Sequence, residues 1–410
     1  MREMKDSGVE WIGKIPKEWH ITQTRRLFRN EKNIVGDAAD EYERLALTLK
    51  GVIKRSKNDS EGLQPEKFEG YQILRQNELV FKMIDLENVN TSRVGLSPYT
   101  GLVSPAYIVL KNDSDDNRYE YYWFMYMYYN EVFNHLGGDG VRSALNVKDM
   151  LSLPIPNISK IQKKMLADYL DAKCLKIDEI IEKQQAIIEK LKKYKLSYIN
   201  ENTNVNDGIK CHLGFIGQMK NGFNYTDTPE GHKIKFLGVG DFKDNFFIDK
   251  EDMFSTIISE ESVAEDYMLR SGDIIFVRSN GSKELVGRAV MVNKIEYPVT
   301  YSGFCIRFRN IRPDIIDSKF LLYYFRSFDF RKQLEKYSQG SNISNLNQEL
   351  LSSLQFTIPS MDYQKNVLNA MQKKCKEIDN VIAKFEGINN KLQEYKKSLI
   401  YEVVTGKKEV

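Results

Sequence analysis

The stretch ADYLDAKCLKIDEIIEKQQ, residues 167–185, is repeated in recognisable form as NAMQKKCKEIDNVIAKFEG, residues 369–387. Asp379 lies 201 residues after Asp178, and the same offset superposes Cys174 on Cys375, Ile177 on Ile378, Leu191 on Leu392 and Tyr194 on Tyr395. It runs on through Ser197 on Ser398, Ile199 on Ile400 and Glu201 on Glu402. A register held for so long marks an internal repeat.

Both copies carry helix punctuation. The first follows LPIPNIS, in which Ser159 and Gln162 have the S-x-x-Q spacing of a capping box. The second follows FTIPSMDYQ, with Ser360 as N-cap and Asp362 in the positive first turn, and it stops at VVTGKK, where Gly406 suits a left-handed residue. Cys174, Ile177, Ile181, Gln184, Ile188, Leu191, Lys195 and Tyr198 alternate three- and four-residue steps, the period of a coiled-coil seam. The second copy matches with Cys375, Ile378, Ile382, Phe385, Asn389, Leu392, Lys396 and Leu399. Polar Gln184 and Asn389 restrict its register. A further apolar line, Ile180, Ile187 and Tyr194 with Val381, Ile388 and Tyr395, is wider than a two-helix contact needs and points to another helical partner. A helix of about 40 residues spans roughly 60 Å, long for an element that only covers its own domain.

Outside the helices the halves correspond more loosely. GLVSPAYIVLKND precedes the aromatic segment YEYYWFMYMYYNEVFNHL, and TYSGFCIRFRNIR precedes SKFLLYYFRSFDFRKQLEKY. Apolar runs in NELVFKMI and GDIIFVRS read as strands. Each half is therefore a mixed α and β domain in the same order of elements. A chain of 410 residues, 41% apolar and 29% charged, with a formal net charge of +3, fits two such domains, and any acidic partner must meet local patches.

The opening SGVEWIGKIPKEW, the segment GLVSPAYIVL, the twin helices and the closing KLQEYKKSLIYEVVTGK together resemble the specificity subunits of type I restriction and modification systems, over the whole length. The resemblance implies an α+β fold: two mixed α/β target-recognition domains joined by two long antiparallel coiled-coil helices, with an internal pseudo-two-fold repeat. Residues 1–153 and 205–356 are the expected recognition domains, and 154–204 and 357–410 the expected spacer helices. It implies double-stranded DNA, adenine methyltransferase subunits and an ATP-dependent translocating nuclease subunit as partners, the helices docking the methyltransferase through Ile177, Ile181, Ile188, Leu191, Ile378, Ile382, Phe385 and Leu392. The second half has no counterpart to the Gly-x-x-Trp-Ile-Gly of the opening, and the two domains are expected to read different sequences.

The chain lacks the Asn/Asp-Pro-Pro-Tyr/Phe segment of an adenine methyltransferase and the G-x-x-x-x-G-K-[ST] loop of an ATP-driven motor. S-adenosylmethionine, ATP and Mg²⁺ are thus expected on partner subunits, with no cofactor, metal or catalytic residue here. Asp241-Phe242-Lys243 fits a metal-dependent nuclease pattern formally, but such tripeptides are common. A self-sufficient restriction enzyme and a protein-binding coiled-coil adaptor are the rival readings. The four cysteines form no C-x-x-C pair, and no apolar run reads as a signal peptide or bilayer span, so a cytoplasmic protein is expected.

DNA contacts call for Lys and Arg against phosphate and for fork-like or amide side chains against base edges. In the first half the loop KGVIKRSKND offers Lys54, Arg55 and Lys57, followed by Lys82, Arg93, Arg142 and Ser143. In the second half FVRSNGSKELVGR offers Arg278, Asn280, Ser282, Lys283 and Arg288, with Asn342 and Asn345 later. Any one of them alone is equally a solvated surface group. The aromatic segment Tyr121 to Tyr129 is read as core rather than as a stacking platform, and Cys174 and Cys375 as seam residues.

Overall fold

The computed structural model describes residues 2–58, 67–84, 92–136, 144–225, 227–260, 262–337 and 345–410. Helices Lys160–Thr203 and Met361–Val404, 44 residues each, dominate it. Their starts follow the sequence signals. The Gln162 N–H donates to Ser159 Oγ at 3.2 Å while Gln162 Oε1 accepts from the Ser159 N–H at 3.4 Å, and the Tyr363 N–H donates to Ser360 Oγ at 3.3 Å. Gly406, at φ +69°, ends the second helix in the left-handed region that a side chain would disfavour.

The chain divides into two compact units, Met1–Gln184 with Gly387–Val410, and Gln185–Glu386. The first contains a four-stranded sheet in the order Gly51–Arg55, Arg44–Thr48, Gly101–Val103, Gln72–Leu74, and a three-stranded sheet in the order Ile108–Leu110, Leu79–Phe81, Val94–Leu96. The aromatic helix Arg118–Tyr129 covers the latter, burying Trp123, Phe124, Tyr126 and Met127 with Phe81, Leu170, Cys174, Leu399 and Val403. Tyr119 donates its hydroxyl to the Val404 carbonyl at 2.8 Å, and Tyr126 to that of Trp11 at 2.5 Å. Buried phenols thereby gain partners instead of forfeiting hydrogen bonds. Within this unit Lys396 donates to Asp178 at 2.7 Å.

The second unit is built around a five-stranded sheet in the order Gly217–Asn221, Cys305–Asn310, Ile274–Val277, Ala289–Val292, Phe247–Ile248. Ile274 and Phe276 face one apolar cluster, and Ile275 and Val277 face another. Burial on both faces explains why this strand reads as a continuous apolar run rather than an alternating one. Here Lys195 donates to Asp379 at 2.7 Å, and Ile188, Ile378 and Ile382 pack together with Leu191 and Phe385.

One device recurs in both units. His20–Gln23 pairs antiparallel with Pro154–Asn157, and Ile209–His212 pairs antiparallel with Gln355–Ile358, just before each long helix begins. One expectation is corrected. The stretch read as the loop KGVIKRSKND forms the strand Gly51–Arg55, paired with Arg44–Thr48 through a tight turn at Gly51, φ +92°, with Val52 buried, Lys54 exposed and Arg55 half-buried.

Candidate nucleic-acid interface

In the second unit Arg278 follows the end of the central strand Ile274–Val277, and the neighbouring strand begins after the turn Ser302–Phe304. The Arg278 N–H donates to the Phe304 carbonyl at 2.8 Å, and the Arg278 carbonyl accepts from the Leu346 N–H at 2.8 Å. Ser279 bridges Asn345. Arg278, Asn280, Ser282 and Asn345, predicted from separate segments, are thus brought to one rim. Arg278 Nη1 donates to the Gly303 carbonyl at 3.3 Å, which orients the fork, and no carboxylate pairs with it among the described residues. Asn280 Oδ1 accepts from the Ser282 N–H at 2.8 Å, ordering the loop.

Phe304, 63% exposed, stands on the same rim and was missed by the sequence reading. In TYSGFCIRF it looks like one more strand aromatic. The turn reverses it: Gly303 donates to the Phe223 carbonyl at 2.9 Å, and Phe304 to Ser302 Oγ at 3.2 Å. Gly303 packs so closely on Asn224 that a Cβ would lie 1.8 Å from Asn224 Oδ1. The signal available was the glycine pair Gly222 and Gly303, each marking a close backbone approach. Exposed Asn224 and partly exposed Tyr225 extend the rim.

At the far end of the same two strands, Arg309 makes a bidentate pair with Asp273, 2.7 Å on each arm, and Asp273 is only 2% exposed. The hydrogen bonds and charge of Asp273 hold the Arg309 guanidinium above its usual pKa. Arg326 lies against the Phe246 ring at 4.3 Å and donates to the Ala289 carbonyl at 3.0 Å. Burial pushes its pKa down to about 10. Arg288, predicted to meet DNA, is paired with Asp244 at 2.6 Å, so contact with a phosphate requires exchanging that partner.

In the first unit Lys50 and Leu49 are exposed at the Thr48–Gly51 turn. Lys54 pairs with Glu43 at 2.5 Å and lies over the Tyr99 ring at 5.1 Å, and its hydrogen bond to Glu43 raises its pKa. Arg55 ends the same strand. Two predictions are corrected here. Arg93 is 2% exposed and spends its guanidinium on the carbonyls of Ile84 at 2.8 Å and Lys82 at 3.4 Å, so it braces the chain instead of facing solvent. Lys57 donates to the Ala39 carbonyl at 2.7 Å and serves the fold in the same way. Lys82 is half-buried. Arg142, Ser143 and Asn342, and the side chain of Lys283, lie outside the described residues.

The long helices show an equivalent shift. Ile177, Ile188, Ile378 and Ile382 are buried within the chain, and Ile181, Leu191, Phe385 and Leu392 are half-buried, so this row leaves little surface for another protein. Ile180, Ile187 and Tyr194 on the first helix, and Val381, Ile388 and Tyr395 on the second, are exposed instead. Asp241, of the nuclease-like tripeptide, accepts from the Gly238 N–H at 2.7 Å and from the Ser255 hydroxyl at 2.8 Å, the work of a turn-capping carboxylate. Among the described residues no cluster has the makings of a metal site, and no helix is long and apolar enough to cross a membrane.

A family model described as "Type I restriction modification DNA specificity domain" matches residues 175–394. The "Type I restriction enzyme EcoKI specificity subunit" of Escherichia coli (strain K12) is 24% identical over 151 residues, 37% of this chain and 32% of the relative. The "Type I restriction enzyme StySPI specificity subunit" of Salmonella potsdam is 23% identical over 150 residues, 36% and 32%. The matches thus span about a third of the length of these curated relatives. A solved structure from work described as "Structural basis underlying complex assembly and conformational transition of the type I R-M system" superposes with a TM-score of 0.68 at 12% identity, covering 95% of this chain and 98% of that one, and shares its fold.

Proposed function

Because the chain belongs to the family of type I restriction modification DNA specificity domains, we infer that it is the sequence-reading subunit of a type I restriction and modification assembly, each half contacting one part of a split DNA target. The observation that carries this reading is the rim of the second unit, where Arg278, Asn280, Ser282 and Asn345 converge beside Phe304. A guanidinium fork and amides are the groups that read base edges, and an exposed aromatic can press between or against bases. In the first unit Lys50, Lys54 and Tyr99 form the corresponding candidate surface.

The finer architecture belongs to the same reading: recognition domains at 1–153 and 205–356, spacer helices at 154–204 and 357–410, an internal pseudo-two-fold repeat and an antiparallel coiled coil. The pairs Asp178–Lys396 and Lys195–Asp379 support it, since each is the other with the two helices exchanging roles. Methyltransferase subunits dock on the exposed row of Ile180, Ile187, Tyr194, Val381, Ile388 and Tyr395, and an ATP-dependent nuclease subunit joins them. This chain is non-catalytic and binds no cofactor of its own; S-adenosylmethionine, ATP and Mg²⁺ act in those partners. The exposed rows also suit the rival adaptor, which would have no use for the Arg278 rim.

The test is reconstitution with an adenine methyltransferase, followed by sequencing of the modified sites. Arg278→Ala is expected to relax one half of the split motif, at a cost of roughly 1 to 3 kcal/mol for a lost base contact. A motif altered in both halves, or salt-insensitive DNA binding, would overturn the reading.

A further inference from the structure

A duplicated helix raises a problem of self-recognition. Each long helix carries the same ladder of apolar and charged positions, so each copy is equipped to pair with its counterpart in a second copy of this chain. The ion pairs do not prevent it. Asp178 meets Lys396 and Lys195 meets Asp379, each at 2.7 Å. Since Asp379 and Lys396 occupy the repeat positions of Asp178 and Lys195, a helix paired antiparallel with itself would regain the same bridges, Asp178 with Lys195 or Asp379 with Lys396. The charges set direction and register but not identity.

The central layers differ. The register defined by these bridges sets Gln184 opposite Asn389 in the first unit and Ile188 opposite Phe385 in the second. Gln184 Oε1 and Asn389 Oδ1 are both buried without a hydrogen-bond partner, and Ile188 and Phe385 belong to one apolar cluster. By the repeat offset, Phe385 stands where Gln184 does and Asn389 where Ile188 does. One copy therefore reads polar then apolar, and the other apolar then polar. Paired with each other antiparallel, they match amide with amide and hydrocarbon with hydrocarbon. Paired with itself, the first helix would set Gln184 against Ile188 twice, and the second would set Phe385 against Asn389 twice.

We propose that Gln184, Ile188, Phe385 and Asn389 form an identity code that makes the two long helices of one chain choose each other over the same helix of a second copy. Two facing amides can satisfy each other by turning about a terminal side-chain bond, whereas an amide pressed on isoleucine or phenylalanine has no such remedy. A buried amide left without a partner weakens a pairing by roughly ten- to a hundredfold, and each homotypic pairing contains the mismatch twice. Single polar residues at coiled-coil seams select partners in this way. The inference rests on the reading of the helices as an antiparallel repeat.

The test uses the full chain as Gln184→Leu, Asn389→Leu and the double variant. Each single variant leaves the other amide facing leucine and is expected to raise the unfolding equilibrium constant by about tenfold or more, and the double variant to recover that loss. Two differently tagged copies are then unfolded together, refolded and separated by size with light scattering. The double variant is expected to yield at least about tenfold more mixed-tag dimer than the wild type, because its central layers no longer distinguish self from counterpart. Equal mixing by wild type and double variant, or single variants no less stable than the double, would overturn the code. Disulfide formation in the Ile188→Cys, Phe385→Cys variant checks the register separately. Its failure would remove the antiparallel reading itself, while its success with unchanged mixing would remove only the code.

Discussion

Replacing Arg309 with methionine should loosen the rim that carries Arg278 and Phe304 without touching it. Asp273 immediately precedes the strand Ile274–Val277 that leads to Arg278, and Arg309 lies on the strand Cys305–Asn310 that follows Phe304. Their bidentate pair, 2.7 Å on each arm, ties these strands together. Breaking a buried ion pair from one side costs about 3–5 kcal/mol, because the remaining charge is stranded. Asp273 keeps the Arg270 N–H at 2.7 Å, which places the expectation at the lower end, near 3 kcal/mol. That corresponds to roughly a hundredfold in an opening equilibrium. Hydrogen exchange read by mass spectrometry should show peptides covering Ile274–Val277 and Cys305–Asn310 exchanging about a hundredfold faster, with Leu79–Phe81 and Ile108–Leu110 unchanged. Adding Asp273→Leu should recover most of the loss, since no charge is then left buried. Acceleration below about tenfold, or a double variant as loose as the single, would refute the role given to this pair.

Gly222→Ala would place a Cβ 2.1 Å from the Ser302 carbonyl oxygen, displacing the turn that carries Phe304; a loss of about 1–3 kcal/mol in urea unfolding is expected. Burial pushes the thiols of Cys174 and Cys375 up to about 11, so at pH 8 only about one in a thousand is thiolate. Peptide mapping after alkylation of the folded chain should therefore find the partly exposed Cys211 labelled first. Asp178→Lys or Lys396→Asp alone should cost no more than about 1 kcal/mol, because this bridge is largely solvated, and the double reversal should restore stability at low salt.

The long helices were legible because periodicity, caps and the repeat all agreed, and no tertiary contact had to be known to place Ser159, Ser360 or Gly406. The strands were legible where burial on both faces kept them apolar, as in Ile274–Val277. Gly51–Arg55 was not, because only Val52 turns inward and the surrounding cations resemble a solvated loop. Arg93 and Lys57 illustrate a deeper limit. A cation that caps backbone carbonyls is indistinguishable in sequence from one that awaits phosphate, since the carbonyls come from residues whose placement depends on the whole fold. Phe304 fails in the opposite sense: its outward turn is fixed by Gly303 against Asn224, 79 residues apart in sequence.

The short antiparallel ribbons have a consequence for how such a chain can change over generations. His20–Gln23 enters the first unit's sheets and Pro154–Asn157 leaves them, and the two are hydrogen-bonded neighbours; Ile209–His212 and Gln355–Ile358 do the same in the second. Whatever is encoded between the members of a ribbon starts and finishes at one place, a strand spacing apart. An unrelated insert whose ends meet at that spacing can be spliced in without altering the reading frame of contacts along either long helix. An exchange between the members of a ribbon would therefore replace a unit's sheets in one event while leaving the contacts along the long helices as they are.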